Sequence, residues 1–152
     1  MSDLLAIHDA LAAVTISMND GEEIAAWRLD EAQTRVVSAH LPTRLILPPG
    51  ATGGSAMERY EIVTQGVSKV VWRVADLLLY ENIARGGGPK NIWVRLTEYI
   101  AKYVQTLTVN KYLSNGRVIG FLPQAGVFTW PAGGEAYHGV QVVLLVEETI
   151  CV

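Results

Sequence analysis

The sequence predicts an α+β fold in which a largely antiparallel sheet packs against a long helix and an amino-terminal helix. The first observation is a set of apolar residues spaced three or four positions apart, which is typical of a helix with one buried face. These residues are Ile92, Leu96, Tyr99, Tyr103 and Leu107. The second is a pair of β-branched and aromatic runs, "YEIVTQ" and "VSKVVWRVADLLLY", which meet at Gln65-Gly66 and predict a hairpin. Asn115-Gly116 predicts another hairpin further along the chain.

The length and composition indicate one domain that buries part of its surface against other subunits. The chain has 152 residues, the size of a single domain, and we expect residues 1–152 to form it. Hydrophobic residues make up 50% of the chain, and the mean hydropathy is +0.24, which is high for a small monomer. No run approaches the roughly 20 apolar residues of a membrane span. The surplus of apolar residues therefore predicts a homo-oligomer.

Charge and cysteine content argue against several classes of protein. The net charge of −3 and the pI near 5.6 argue against a nucleic-acid reader, which normally carries a concentrated basic face. The single cysteine, Cys151, allows neither a disulfide framework nor a cysteine-based zinc site within the chain. The amino terminus has Asp3 where a signal peptide has a basic residue, so we expect a cytoplasmic protein.

The first half of the chain predicts a helix, a short strand and a long loop. Apolar residues at helical spacing place the helix at about 3–15, with Ser2 as the expected cap. Residues 45–47 are predicted to form a short buried or edge strand that ends before Pro48-Pro49-Gly50. The rest of residues 24–47 has no clear period. We interpret residues 50–56 as a long loop within the domain, of the kind that often carries function.

The second half predicts a sheet and the long helix. In the hairpin, Val70, Trp72 and Val74 alternate with Lys69, Val71 and Arg73, which predicts one wetter face. The helix is expected at about 89–107, with Trp93 widening its buried stripe and a favourable pair between Glu98 and Lys102. Its outer face is expected to carry Lys90, Arg95, Glu98 and Lys102. Further strands are predicted at "GVFTW" and "YHGVQVVLLVEETI".

The glycine-rich segment "ENIARGGGPKN", residues 81–91, does not match a phosphate-binding loop at the positions that carry its chemistry. A Walker loop needs a lysine after glycine and then a hydroxyl residue. Here Pro89 precedes Lys90, and Asn91 stands at the hydroxyl position. We interpret Gly88-Pro89 as the start of the helix. A small phosphate- or nucleotide-binding enzyme that uses Arg85 and Lys90 stays open as an alternative, and no cofactor is predicted.

The other polar residues do not form a predicted catalytic or metal site. The histidines lack the spacing of zinc ligands; they are His8, His40 and His138. Ser38 lies near His40 but outside any nucleophile elbow. The acidic doublets Glu22-Glu23 and Glu147-Glu148 are expected to be solvated. The chain is therefore not expected to be an enzyme.

Several segments from about Leu41 to Glu148 carry a family resemblance. They are "LPTRLILP", "WRVADLLLY", "IWVRLTEYIAKYVQTL" and "YHGVQVVLLVEE", preceded by an amino-terminal helix. In order and length they resemble the tail terminator and head-to-tail joining proteins of long-tailed bacteriophages. No counterpart is matched for residues 16–41.

The resemblance implies a structural virion protein, assembled in the host cytoplasm, that forms a ring, usually a hexamer. The ring caps the finished tail tube, presents a surface to the head-tail connector, and lets DNA pass without specific binding. A head-closure or neck protein, or a minor tail protein of the same joint, is the alternative. An oligomeric interaction domain without a viral role is a third possibility. The residues expected at interaction surfaces are Gly50, Gly53, Gly54, Arg85, Gly87, Lys90, Trp93 and Trp130.

Overall fold

A computed structural model describes residues 3–28, 41–51, 54–84, 89–130 and 134–151, with only the backbone described at residues 89 and 90. This part of the chain contains helix α1 at Leu4–Ala12 and helix α2 at Pro89–Val109. Its strands are β1 Ile16–Ser17, β2 Glu23–Ile24, β3 Ala26–Arg28, β4 Thr43–Ile46, β5 Met57–Thr64, β6 Val67–Asn82, β7 Tyr112–Leu113, β8 Gly116–Trp130 and β9 Glu135–Cys151.

The main sheet has the strand order β3-β4-β6-β9-β8-β7, and β5 also pairs with β6. One edge of β6 is shared, because β4 pairs with it from Asp76 to Leu79 and β5 pairs with it from Val67 to Trp72. All neighbours are antiparallel except β3 and β4, which are parallel. A separate antiparallel pair joins β1 and β2. The prediction of a mixed α and β fold with a mostly antiparallel sheet is confirmed.

Strand β6 is buried on both faces along most of its length, because its sequence is apolar at successive positions. Val74 and Leu78 belong to the larger core cluster, whereas Leu77 and Leu79 belong to a smaller cluster on the opposite face. The prediction of a wetter face holds at exposed Lys69 but is wrong further along β6. The neighbouring strands and the apolar side chains on that face remove it from water.

Helix α1 begins after Asp3, whose carboxylate accepts a hydrogen bond from the Ala6 amide at 3.1 Å. A side-chain acceptor at this position satisfies an amide that has no partner within the helix. Ile7 and Leu11, four residues apart, are completely buried. The predicted helix is confirmed but ends at Ala12, earlier than expected. The predicted cap, Ser2, lies outside the described residues.

Helix α2 buries the predicted stripe, because all five stripe residues are less than 9% exposed. Tyr103 contacts Phe121 of β8 edge to face, with 6.3 Å between ring centroids. The prediction that Trp93 widens the buried stripe is wrong, because its side chain is 71% exposed. Trp93 follows buried Ile92, and successive helical residues differ by about 100° in direction.

The hairpin predicted at Asn115-Gly116 is present, but its turn lies one residue earlier. Leu113 pairs with Gly116, so Ser114 and Asn115 form the turn. Strand β8 begins at Gly116. This position favours glycine because a β-carbon there would lie only 2.5 Å from Val146 Cγ1. None of the helices in the described part of the chain combines the length and apolar composition needed to cross a membrane.

Candidate interaction surfaces

The outward face of α2 is uncharged. We call this face the α2 stripe. It consists of Trp93, Val94, Thr97, Ala101, Gln105, Thr108 and Val109. From Asn91 to Val109, where the structure describes the side chains, no exposed position holds a charged residue. Surface helices normally place charged residues on the face away from the core. The α2 stripe therefore has the composition of a surface that another molecule covers.

The threonines of the α2 stripe direct their hydroxyl groups into the helix. Thr97 Oγ1 donates to the Trp93 carbonyl oxygen at 2.8 Å, and Thr108 Oγ1 donates to the Val104 carbonyl oxygen at 2.6 Å. Because these hydrogen bonds are made within α2, the hydroxyls need no partner from another molecule. The stripe can thus be covered by apolar groups without leaving these donors unsatisfied.

Of the charged residues predicted on the outer face of α2, Arg95, Glu98 and Lys102 are instead partly buried beside it. Arg95 donates to the Tyr80 hydroxyl at 2.7 Å and to Glu22 at 2.9 Å. The hydrogen bond that Arg95 donates to Tyr80 raises the pKa of Arg95, and the charges of Asp20 and Glu22 add to the effect. Glu98 contacts Arg95 at 3.4 Å. The prediction that Arg95 and Glu98 lie on the outer face is wrong, because this cluster draws them towards β6 and the β1–β2 hairpin.

Strand β8 provides a second uncharged surface, which we call the β8 segment and define as Val118–Trp130. It contains no Asp, Glu, Lys or Arg. Both faces of the strand are exposed from Leu122 to Val127. Among the described residues, β7 covers only the start of the outer edge of β8, at Gly116 and Arg117.

The free edge of β8 is protected against simple strand addition by its backbone. Pro123 pairs opposite Val142 and has no N–H group. The register also shifts between Val118 and Gly120. Proline and bulges are common means of blunting an edge. The backbone edge is therefore a poor template for another strand, while the two apolar faces remain available.

Strand β5 is exposed but differs in charge. All eight of its residues are exposed, among them Tyr60 and Ile62. Glu61 lies between them and Glu58 and Arg59 precede Tyr60, and Glu58 pairs with Arg73. Charged side chains on an edge strand are typical of protection against aggregation.

A buried charge network ties the core together, and the sequence interpretation missed it. Arg44 and Asp76 are completely buried, with 2.6 Å between Arg44 Nη2 and Asp76 Oδ2. Tyr103 donates to the same oxygen at 2.7 Å, and Arg44 also donates to the Val14 carbonyl oxygen. Burial would lower the pKa of Arg44, but the charge of Asp76 offsets this and raises it. The signal available in the sequence is a single charge within each of two apolar strands, "TRLIL" and "VADLLL".

The prediction that Glu148 is solvated is wrong, because this residue is only 1% exposed. Its carboxylate accepts from the Asp3 amide at 3.2 Å and from Trp72 Nε1 at 3.3 Å. It therefore joins the start of α1 to the sheet. Adjacent residues in a strand point to opposite faces, so one member of the Glu147-Glu148 doublet had to turn inward.

A mostly apolar cavity of about 560 Å³ lies between α1 and β4. Its lining includes Leu4, Leu5, His8, Arg28, Ile46, Leu47, Pro48 and Pro49. His8 is 6% exposed; its Nδ1 lies 2.8 Å from the Leu4 carbonyl oxygen, whereas Nε2 has no hydrogen-bond partner. The cavity can accept an apolar side chain. Among the described residues, no group of His, Cys, Asp or Glu could hold a metal ion.

The predicted interaction residues that the structure describes lie in three different parts of the fold. Trp93 lies in the α2 stripe, and Trp130 ends the β8 segment, where its indole N–H is buried without a partner. Gly50 and Gly54 lie together after β4, since a β-carbon on Gly50 would be 3.6 Å from the Gly54 carbonyl oxygen.

The remaining predicted residues lie outside what the structure describes. They are Gly53, Arg85 and Gly87, together with the side chain of Lys90. Gly88, Ser38 and His40 are also outside the described residues.

No family model matches the chain, and no curated protein sequence matches it.

Proposed function

We propose that the chain is a structural assembly protein that forms a ring, expected to be a hexamer, at the end of a bacteriophage tail tube. The ring would cap the tube and join it to the connector on the head. The observation that supports an assembly role is the pair of uncharged exposed surfaces, the α2 stripe and the β8 segment. The cores of protein interfaces are depleted of charged residues, whereas free surfaces are rich in them.

A ring requires each copy to present two unlike surfaces, because every copy has a neighbour on each side. The α2 stripe and the β8 segment are unlike in shape, one being a helix face and the other a strand. They therefore supply the minimum that a closed ring needs. The specific tail role rests on the resemblance of the segments between Leu41 and Glu148 to tail terminator proteins.

The proposal includes the expected layered arrangement, with the long helix α2 packed along the sheet. The contact of Tyr103 with Phe121 and its hydrogen bond to Asp76 support this arrangement. It leaves the opposite face of α2, the stripe, available for a partner.

The axial partners in this proposal are the tail tube protein and a head-tail connector or neck protein. DNA would pass through the ring without specific contacts. The modest net charge of −3 supports this, because a DNA-gripping channel would carry clustered basic residues. The glycine loops at residues 50–56 and 86–89 are proposed to face the axial partners.

The first experiment is to measure the mass in solution by light scattering after size exclusion, at several protein concentrations and two salt levels. A six-fold mass, or a monomer that becomes a ring as the concentration rises, is the expected result. Because the proposed surfaces are uncharged, the mass should change little with salt. A monomer under every condition would refute the ring.

A second experiment separates the tail role from other ring proteins. Electron microscopy of the protein mixed with assembled tail tubes of the same phage should show an added ring at one tube end. Binding to the head connector alone would instead favour the head-closure alternative. Thermal stabilisation by a nucleotide would favour the enzyme alternative, since ligand at about 100 times its dissociation constant adds about 2.7 kcal/mol.

A further inference from the structure

We propose that neighbouring copies of this chain associate by packing the α2 stripe of one copy on the β8 segment of the next. The inference rests on the proposed ring and names the contact that builds it. The occupant of each surface is therefore a second copy of the chain.

The first argument is the match in charge. A partner that covers the α2 stripe must not bury a charge there, because the stripe has no group to pair with it. Strand β5 is poorly suited, since it carries Glu58, Arg59 and Glu61 among its exposed residues. The β8 segment carries no charge from Val118 to Trp130. It is thus the better match for the α2 stripe among the described elements.

The second argument is the match in chemistry over a shared length. Leu122 to Val127, where β8 is exposed on both faces, extends for about 17 Å at 3.3 Å per residue, as far as about 11 residues of a helix rise at 1.5 Å per residue. Leu122 and Val127 are five residues apart and therefore lie on opposite faces of β8, and the α2 stripe of the neighbouring copy packs on the face that carries Ala125 and Val127. Trp93 and Val94 are 71% and 64% exposed and Val127 is 55% exposed, so both sides of the contact offer apolar groups.

The third argument is the state of the polar groups. A helix that packs on a sheet face needs no hydrogen bonds from the sheet edge, so Pro123 does not prevent the contact. The Thr97 and Thr108 hydroxyls already bond within α2. The α2 stripe can therefore lose water without leaving the hydroxyl donors of these two threonines unpaired.

The test uses a charge on each surface in turn. Ala101→Glu places a carboxylate in the α2 stripe, and Val127→Glu places one in the β8 segment. Each variant is expected to weaken subunit association by at least about tenfold, because burying an unpaired charge is costly. The controls are Ala25→Glu, at another exposed alanine, and Val63→Glu on β5, where Val63 is 51% exposed. Circular dichroism and thermal unfolding establish that every variant is folded.

Mixing the two variants distinguishes an unlike contact from a symmetric one. The Ala101→Glu copy keeps an intact β8 segment, and the Val127→Glu copy keeps an intact α2 stripe. An equimolar mixture is therefore expected to form a one-to-one complex that cannot grow further. A Cys151→Ser background with Ala125→Cys, on the same face of β8 as Val127, in the first copy and Thr97→Cys in the second should trap this complex as a disulfide.

The other outcomes would overturn the inference. A symmetric contact between two α2 stripes would let Val127→Glu assemble alone and give no mixed complex. If Ala101→Glu and Val127→Glu both form full-size rings, the ring exists but uses other surfaces. Loss of the ring in Val63→Glu alone would lead to the same conclusion. A wild-type chain that stays monomeric would instead refute the proposed ring itself.

Discussion

The buried pair of Arg44 and Asp76 leads to a quantitative prediction for Asp76→Leu. The substitution leaves the guanidinium of Arg44 completely buried without its carboxylate, and it removes the acceptor of the Tyr103 hydroxyl. Removing one partner of a buried ion pair costs about 3–5 kcal/mol. A domain has only about 5–15 kcal/mol of stability. We therefore expect the unfolding temperature to fall by roughly 6–20 °C.

The matched control is Asp9→Leu. Asp9 pairs with Arg28 at 3.0 Å, but its side chain is 52% exposed. An exposed pair of this kind contributes about 1 kcal/mol or less. The difference between the two aspartates therefore measures the effect of burial on the same type of ion pair.

The assay is urea unfolding followed by tryptophan fluorescence at one fixed protein concentration. It is carried out for Asp76→Leu, Arg44→Met and the double variant. Removing both charges leaves no unpaired charge, so the double variant should lose much less than the sum of the single losses. Additive losses, or a change of less than about 1 kcal/mol for Asp76→Leu, would refute this account of the core.

Three further predictions follow from other parts of the structure. Gly139→Ala should destabilise the fold by about 1–3 kcal/mol or more, because the β-carbon of the alanine would overlap the Leu78 carbonyl. The control is Gly126→Ala, opposite Gly139 on the paired strand, where a β-carbon meets nothing nearer than 4.0 Å and thermal unfolding should hardly change. Burial raises the pKa of Tyr99 well above its usual range, so the contribution of its protonated hydroxyl to stability is complete below about pH 10 and is lost as the pH rises through the folded pKa. Tyr99→Phe should therefore reduce the alkaline loss of stability by up to about 1.4 kcal/mol per pH unit. An unchanged dependence of the free energy of unfolding on pH, measured by urea unfolding, would contradict this. Trp93→Ala should change the free energy of unfolding of the monomer by no more than about 0.5 kcal/mol, since Trp93 is 71% exposed, but it should reduce the ring fraction measured by light scattering.

The elements that could be predicted from sequence are those with a regular pattern. The buried face of α2, from Ile92 to Leu107, could be predicted because its apolar residues return to the same side of the helix every three or four positions. The hairpin at Gln65-Gly66 could be predicted because these two residues separate two β-rich runs, and the structure gives Gly66 a positive φ of 76°, which glycine adopts readily. Periodicity gave the direction of each side chain but not what covers it, which explains the error at Trp93. An apolar residue beside a buried stripe has the same local signal whether it faces the core or a partner.

The candidate surfaces and the buried charges could not be predicted for a different reason. The charges on α2 looked solvated because their partners lie far away in sequence, as Glu22 does from Arg95. Arg44 and Asp76 likewise come together only when β4 pairs with β6. Neither the uncharged face of α2 nor the buried pair is visible until the strands are arranged in space.

The position of β9 in the middle of the sheet affects the order in which the chain can fold during synthesis. Strand β9 lies between β6 and β8. Its pairing with β6 runs from Cys151 opposite Val67 to Tyr137 opposite Asn82. On the ribosome, β6 and β8 therefore emerge before the strand that joins them. Contacts between residues so distant in sequence form slowly, and unpaired strands expose nascent chains to aggregation. Such a chain depends on rapid completion of β9, so pauses in translation between Trp130 and Cys151 should lower its yield more than pauses within α1.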